Sequence, residues 1–139
     1  MRQISAKAVI VGSLFDVIGT QLLLVLLIVA ICIPLLGTGQ LDTAQIRAAL
    51  DGSILYKVGG YLIGALMSVA AGYVAAAIAK RGELVNGGLS AVLCLALGVY
   101  ALLSGTAGQS PWVHALDIVL APALGVFGGY LRARGRARA

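Results

Sequence analysis

The sequence predicts an all-α integral membrane protein, a four-helix bundle with both termini in the cytoplasm. Three observations lead there. Of 139 residues, 60% are hydrophobic and 11% are charged, with a mean hydropathy of +1.02. A soluble domain carries about a quarter charged residues, so this composition cannot build a water-facing surface. The 22 residues at 58–79 and the 33 at 84–116 contain no Asp, Glu, Lys or Arg, and about 20 apolar residues cross a bilayer core. These runs are continuous and do not alternate, which selects helices over a β-barrel.

The first span is expected at about residues 8–36. Arg2 and Lys7 precede it, but the apolar run at 17–36 is 20 residues long, whereas a signal-peptide core has about 7–15. Ile31 is also too bulky for a lipoprotein cleavage site ahead of Cys32. The expectation is an uncleaved helix. The following loop, "GTGQLDTAQIRAALDGS", can form a short amphipathic helix lying on the outer membrane surface. Asp42 or Thr43 would cap it, Ile46, Ala49 and Leu50 share one face, and Gly52 ends it. It serves either as a lid or partner contact, or as a connector resting on headgroups.

The second span is expected at about 58–79, the third at about 84–103 and the fourth at about 112–131, followed by a basic tail at 132–139. Charge fixes their orientation. Arg2, Lys7, Lys80, Arg81, Arg132, Arg134, Arg136 and Arg138 fall on one side, eight of the ten basic residues. Basic loops stay cytoplasmic, which makes "KRGE" (residues 80–83) a cytoplasmic turn. The tail arginines Arg132, Arg134, Arg136 and Arg138 are expected on anionic lipid headgroups. The net charge of +5 is therefore topogenic, and nucleic acid is not an expected partner.

In lipid, helices associate through close backbone approach and polar contacts. Gly60, Gly64, Ser68, Gly72 and Ala76 place a small residue at every fourth position of the second span. Ser90, Cys94 and Gly98 do so in the third, beside Gly87 and Ala91, and Ala121, Gly125 and Gly129 in the fourth. These strips are expected to pack helices, within the chain or between copies. Pro122 frees the carbonyl of Ile118 and loosens the fourth span. Cys32 and Cys94 lie at different depths, which argues against a disulfide, and no metal-ligand spacing is present.

Two acids fall inside the apolar segments. Asp117 shares the small-residue face of the fourth span with Ala121. Asp16 has Gly12 and Thr20 four positions to either side. Intramembrane carboxylates mark either a packing or interfacial contact or a transport pathway. If the first span proper begins at Val17, Asp16 sits at the cytoplasmic boundary, within reach of Lys7 or Arg81. The two acids then lie near opposite membrane faces and form no acid–base pair. His114, the only histidine, stands beside Trp112 at a helix start, an interfacial position. No nucleophile–base spacing and no phosphate-cradling loop is present, so no enzyme activity and no cofactor are expected.

Two resemblances add to this. "GSILYKVGGYLIGALMSVAAGYVAAAIAKRGELVNGGLSA", with "VGSLFDVIGT" before it, resembles a family of small bacterial four-span membrane proteins. Their hallmark is a glycine-tyrosine helix, a basic-acidic turn and a glycine-opened third helix. That resemblance implies a fold and a place in the bacterial inner membrane rather than an activity. Ala77 stands where those proteins carry an arginine, and Asn86 where a histidine is often found. "LFDVIGTQLL", residues 14–23, is similar to the first-helix motif of small multidrug resistance transporters, whose acid binds a proton or a cationic drug. Carried over, Asp16 would be that site. The leading expectation is a non-enzymatic scaffold or accessory subunit, partnered by lipid and by a second copy or another membrane protein. The alternative is a minimal proton-coupled transporter of a small molecule or cation, using Asp16 with Asp117.

Overall fold

The computed structural model describes residues 4–36, 42–104 and 111–137. They form six helices: α1 (Ala6–Leu36), α2 (Thr43–Gly52), α3 (Ile54–Ala79), α4 (Glu83–Leu89), α5 (Val92–Leu103) and α6 (Pro111–Arg136). Four segments are long and apolar enough to cross a membrane: residues 6–35, 54–79, 83–103 and 115–136. The chain is a multi-pass membrane protein. Its outside is oily in consequence: Leu22, Leu26, Leu66 and Leu103 are all more than 60% exposed, a surface suited to acyl chains rather than water.

Small residues occupy the centre instead. The buried apolar side chains are Ala8, Ala71, Ala75, Ala76 and Ala91. A methyl group added at Gly12 would stand 2.8 Å from Ala75 Cβ and 2.9 Å from Ser90 Cβ, so α1 already touches both α3 and the α4–α5 junction there. A Cβ on Gly72 would overlap the backbone of Gly125, and one on Gly128 the backbone of Val69 and Tyr73; these contacts seal α3 to α6. Gly87 and Gly129 do the same between α4 and α6. These approaches all lie near the 80–83 turn.

The turn end is also where the chain is tied together. Lys80 caps α3 in the left-handed region (φ 57°) and Gly82 follows at φ 62°, closing α3 to α4 with three residues between them. Asn86, fully buried, accepts from the Ser5 backbone N–H (2.8 Å) and donates to the carbonyls of Arg81 (3.2 Å) and Gly82 (2.9 Å). It binds the start of α1 to the turn. Arg136 donates to the Lys80 carbonyl (2.6 Å) and pairs with Glu83 (3.0 Å), bringing the end of α6 to the same place. The start of α1 and the end of α6 therefore lie at one end of the bundle. Asn86→Leu is expected to destabilise by about 1–3 kcal/mol, since it leaves three backbone groups without this partner. Proteolysis at the turn under mild detergent measures it, and an unaltered cleavage rate would count against the tie.

Two elements differ from the sequence expectation. The third span is not one helix: it breaks at Ser90 and Ala91, where the backbone tightens. Ser90 N–H reaches Gly87 O (3.3 Å) and Ala91 N–H reaches Gly88 O (3.3 Å). Ser90 Oγ also donates to Gly87 O (2.6 Å), and Ser13 of α1 donates to Ser90 O (2.7 Å). The break is thus a docking point for α1, with hydroxyls satisfying the disturbed backbone. The basic tail, moreover, is not a separate segment at first, because α6 runs on to Arg136. Arg132 lies 5.8 Å from the Tyr73 ring centroid, Arg134 is exposed, and Arg138 is outside the described residues.

Helix α2 carries Asp42 at its N-cap position, although that side chain accepts from Thr43 Oγ1 (3.3 Å) and not from the helix backbone. Ile46, Ala49 and Leu50 are its half-covered residues, and the others are exposed.

Candidate functional site

Away from the turn the bundle opens. A cavity of about 520 Å³ lies between α1, α3, α5 and α6. Its walls are Leu24, Leu62, Leu120 and Leu124, with the phenols of Tyr56 and Tyr61 and the glycines Gly60 and Gly64. Lys57 stands on the wall nearest the start of α3. Asp16, Thr20, Ser68 and Cys94 line the opposite end, where the glycine-sealed half begins.

Asp16 is the centre of this arrangement. Its side chain is 1% exposed. Ser68 Oγ donates to it at 3.2 Å, Cys94 Sγ lies at 3.2 Å from Oδ2, and Thr20 is a further hydrogen-bond partner. These donors are neutral. Among the described residues no Lys, Arg or His nitrogen lies within 4.0 Å of the carboxylate, since the one ion pair among them is Arg136–Glu83.

The structure decides against the conditional reading that put Asp16 at the boundary of a span beginning at Val17. Helix α1 begins at Ala6 and not near Val17, so Asp16 is ten residues in, ~15 Å along the axis. Its partner Ser68 lies eleven residues before the end of α3 at Ala79, ~16 Å by the same rise. Asp16 therefore lies well inside the first span and not at its boundary, and its partners are Ser68 and Cys94 rather than Lys7 or Arg81.

The second correction concerns Asp117. The two acids do not lie apart, because both line this cavity. Asp117, exposed, also lines a smaller cavity of about 150 Å³ between α5 and α6, with Cys94, Gly98, Ile118 and Ala121. The small-residue strips divide in the same way. Gly72, Gly125 and Gly129 meet neighbouring backbones, whereas a Cβ on Gly64 would meet nothing within 4 Å and one on Gly60 only Leu24 at 3.7 Å. Gly60, Gly64, Ser68 and Ala121 are cavity residues. The side chain of His114 is outside the described residues.

Sequence reasoning missed Cys94 as a partner of Asp16 and Lys57, Tyr56 and Tyr61 as cavity residues. One signal was present: Asp16 and Thr20 are four apart, as are Gly64 and Ser68, so each pair shares one helix face. The cavity can hold a small molecule of ordinary size, and its one buried charge can hold a proton or a cation. No family model matches the chain, and no curated protein and no solved structure matches it either.

Proposed function

We propose that this is a multi-pass protein of a bacterial inner membrane that carries a cation or small molecule in exchange for a proton bound at Asp16. The observation that carries this reading is a buried carboxylate well inside a membrane span, facing a cavity of about 520 Å³ with only neutral hydrogen-bond donors around it. A charge at that depth is costly to keep, and one without a cation partner in the protein is suited to a cation from outside it. Proton and substrate would compete for the same oxygens: when the cation binds, the proton leaves Asp16 for the cavity water. The excess of Lys and Arg at the turn end supports a cytoplasmic turn and cytoplasmic termini. In that orientation the cavity lies toward the outside, and the glycine-sealed half closes the path inward.

A scaffold or accessory role, with a second copy or another membrane protein as partner, drew its support from a surplus of small-residue strips. Gly72, Gly125 and Gly129 are used within one chain, so that support weakens while the site's grows. The reading remains non-enzymatic. Its test is proton flux in liposomes holding a pH dye, driven by a gradient of tetramethylammonium or a longer alkylammonium ion. The unaltered protein is expected to release protons against the ion and Asp16→Asn is not. Equal flux from both would remove Asp16 from the mechanism.

A further inference from the structure

The end of the large cavity away from Asp16 carries two opposite charges that do not meet. Lys57 of α3 and Asp117 of α6 both line it, and both are exposed, so this end is reached from outside the protein. No ion pair within 4.0 Å joins them, since the one among the described residues is Arg136–Glu83. Their heights follow from the packing below. Helices α3 and α6 both run toward the 80–83 turn, and a Cβ on Gly128 would meet the backbone of Val69 and Tyr73. Asp117 precedes Gly128 by eleven residues, so it stands level with residues 58–62 of α3, about one turn from Lys57. Asp16, at the height of its partner Ser68, is ~16 Å from Lys57 along α3. Tyr56, Gly60, Tyr61 and Leu120 complete the walls. A Cβ on Gly60 would meet only Leu24, at 3.7 Å, so the backbone there stands back from the space.

We infer that this end of the cavity binds a small zwitterion, its ammonium group on Asp117 and its carboxylate on Lys57. The site goes beyond the transport reading and does not depend on what Asp16 holds. A bare cation here meets Lys57 on the same cavity wall, and a bare anion meets Asp117. A ligand with both charges finds a partner for each and brings in no net charge. Lys57 and Asp117 stand on different helices with the cavity between them, so the two charged groups of the ligand need a spacer. A few methylenes fit there, against Leu120 and over Gly60. A phenol can present its ring face to an ammonium group or its hydroxyl to a carboxylate, and Tyr56 and Tyr61 supply two of them at this height.

Calorimetric titration of the full chain in nanodiscs tests this with three probes of matched length: 5-aminopentanoate, pentylammonium and hexanoate. The zwitterion is expected to bind at least about tenfold more tightly than either singly charged probe, a modest ratio because both partners are exposed and screened by water. Lys57→Gln is expected to bring the zwitterion down to the affinity of pentylammonium, and Asp117→Asn down to that of hexanoate. Pentylammonium binding as tightly as the zwitterion, or no binding by any of the three, would overturn the site. A zwitterion affinity indifferent to Lys57→Gln would do the same. If a variant does not accumulate, the three probes on the unaltered protein decide alone. Asp16→Asn keeps this result apart from transport. A zwitterion preference retained in that variant supports a separate outer site, whereas a preference lost there and kept in Lys57→Gln overturns it. Proton flux in Asp16→Asn bears on the transport reading alone.

Discussion

Replacing Gly128 with alanine is expected to cost the protein its folded state in mild detergent. The new Cβ would overlap the Val69 carbonyl oxygen and stand 2.8 Å from the Tyr73 nitrogen. Both obstacles are backbone in the middle of α3, so no side chain can rotate away and the helices must part. Parting them at Gly128 also parts them at Gly125, which sits against Gly72 on one side and Gly87 on the other. Overpacking of a compliant core costs about 1–3 kcal/mol, and this seam is expected at or above the upper end of that range. The control is Gly64→Ala. It adds the same methyl group to the same kind of helix, yet nothing lies within 4 Å of the new atom. Loss of glycine from a helix interior then leaves stability unchanged or raises it by up to about 1 kcal/mol. Thermal unfolding of the two variants, followed by size-exclusion profile, checks the contrast. Equal midpoints would mean that the α3–α6 seam does not hold the bundle.

The contrast also marks what was legible in the sequence. Composition and two uncharged runs were enough for the spans, because a bilayer leaves helices little choice. The four-residue spacing of Gly60, Gly64, Ser68 and Gly72 correctly placed them on one face of α3. Whether that face met a helix or a void depended on the path of α6, which no local spacing encodes. The break at Ser90 was hidden for a similar reason. Glycine and serine are tolerated within membrane helices, and the bend forms where Ser13, 77 residues away, docks on the Ser90 carbonyl. Sequence alone leaves the depth of Asp16 open, because a charge can also be read as the end of a span. The donors that let the helix carry it inward, Ser68 and Cys94, are 52 and 78 residues distant. Asn86 reads as an ordinary polar residue after a turn, and its link to Ser5 across 81 residues is equally invisible to periodicity.

Asp16→Asn is expected to abolish substrate-driven proton flux, a loss of at least about a hundredfold, while leaving the fold as stable as before or more so. The two halves of this prediction have one cause. The carboxylate is 1% exposed and its hydrogen-bond partners are a hydroxyl, a thiol and Thr20, none of which can balance a negative charge. A group kept inside a membrane span on those terms lowers stability relative to a neutral residue of the same shape. The amide keeps the volume and can still accept from Ser68, but it carries neither a titrating proton nor a charge for a cation. Ser68→Ala supplies the graded case: it removes one neutral hydrogen bond, worth about 0.5–1.5 kcal/mol, and is expected to alter flux only severalfold. If Asp16 served packing instead, the order would invert. Asp16→Asn and Ser68→Ala would then both lower the unfolding midpoint, the first by weakening the acceptor for Ser68 and Cys94 and the second by removing a donor, and flux would fall only as folded protein was lost. Midpoint and flux measured on the same reconstituted samples separate the cases.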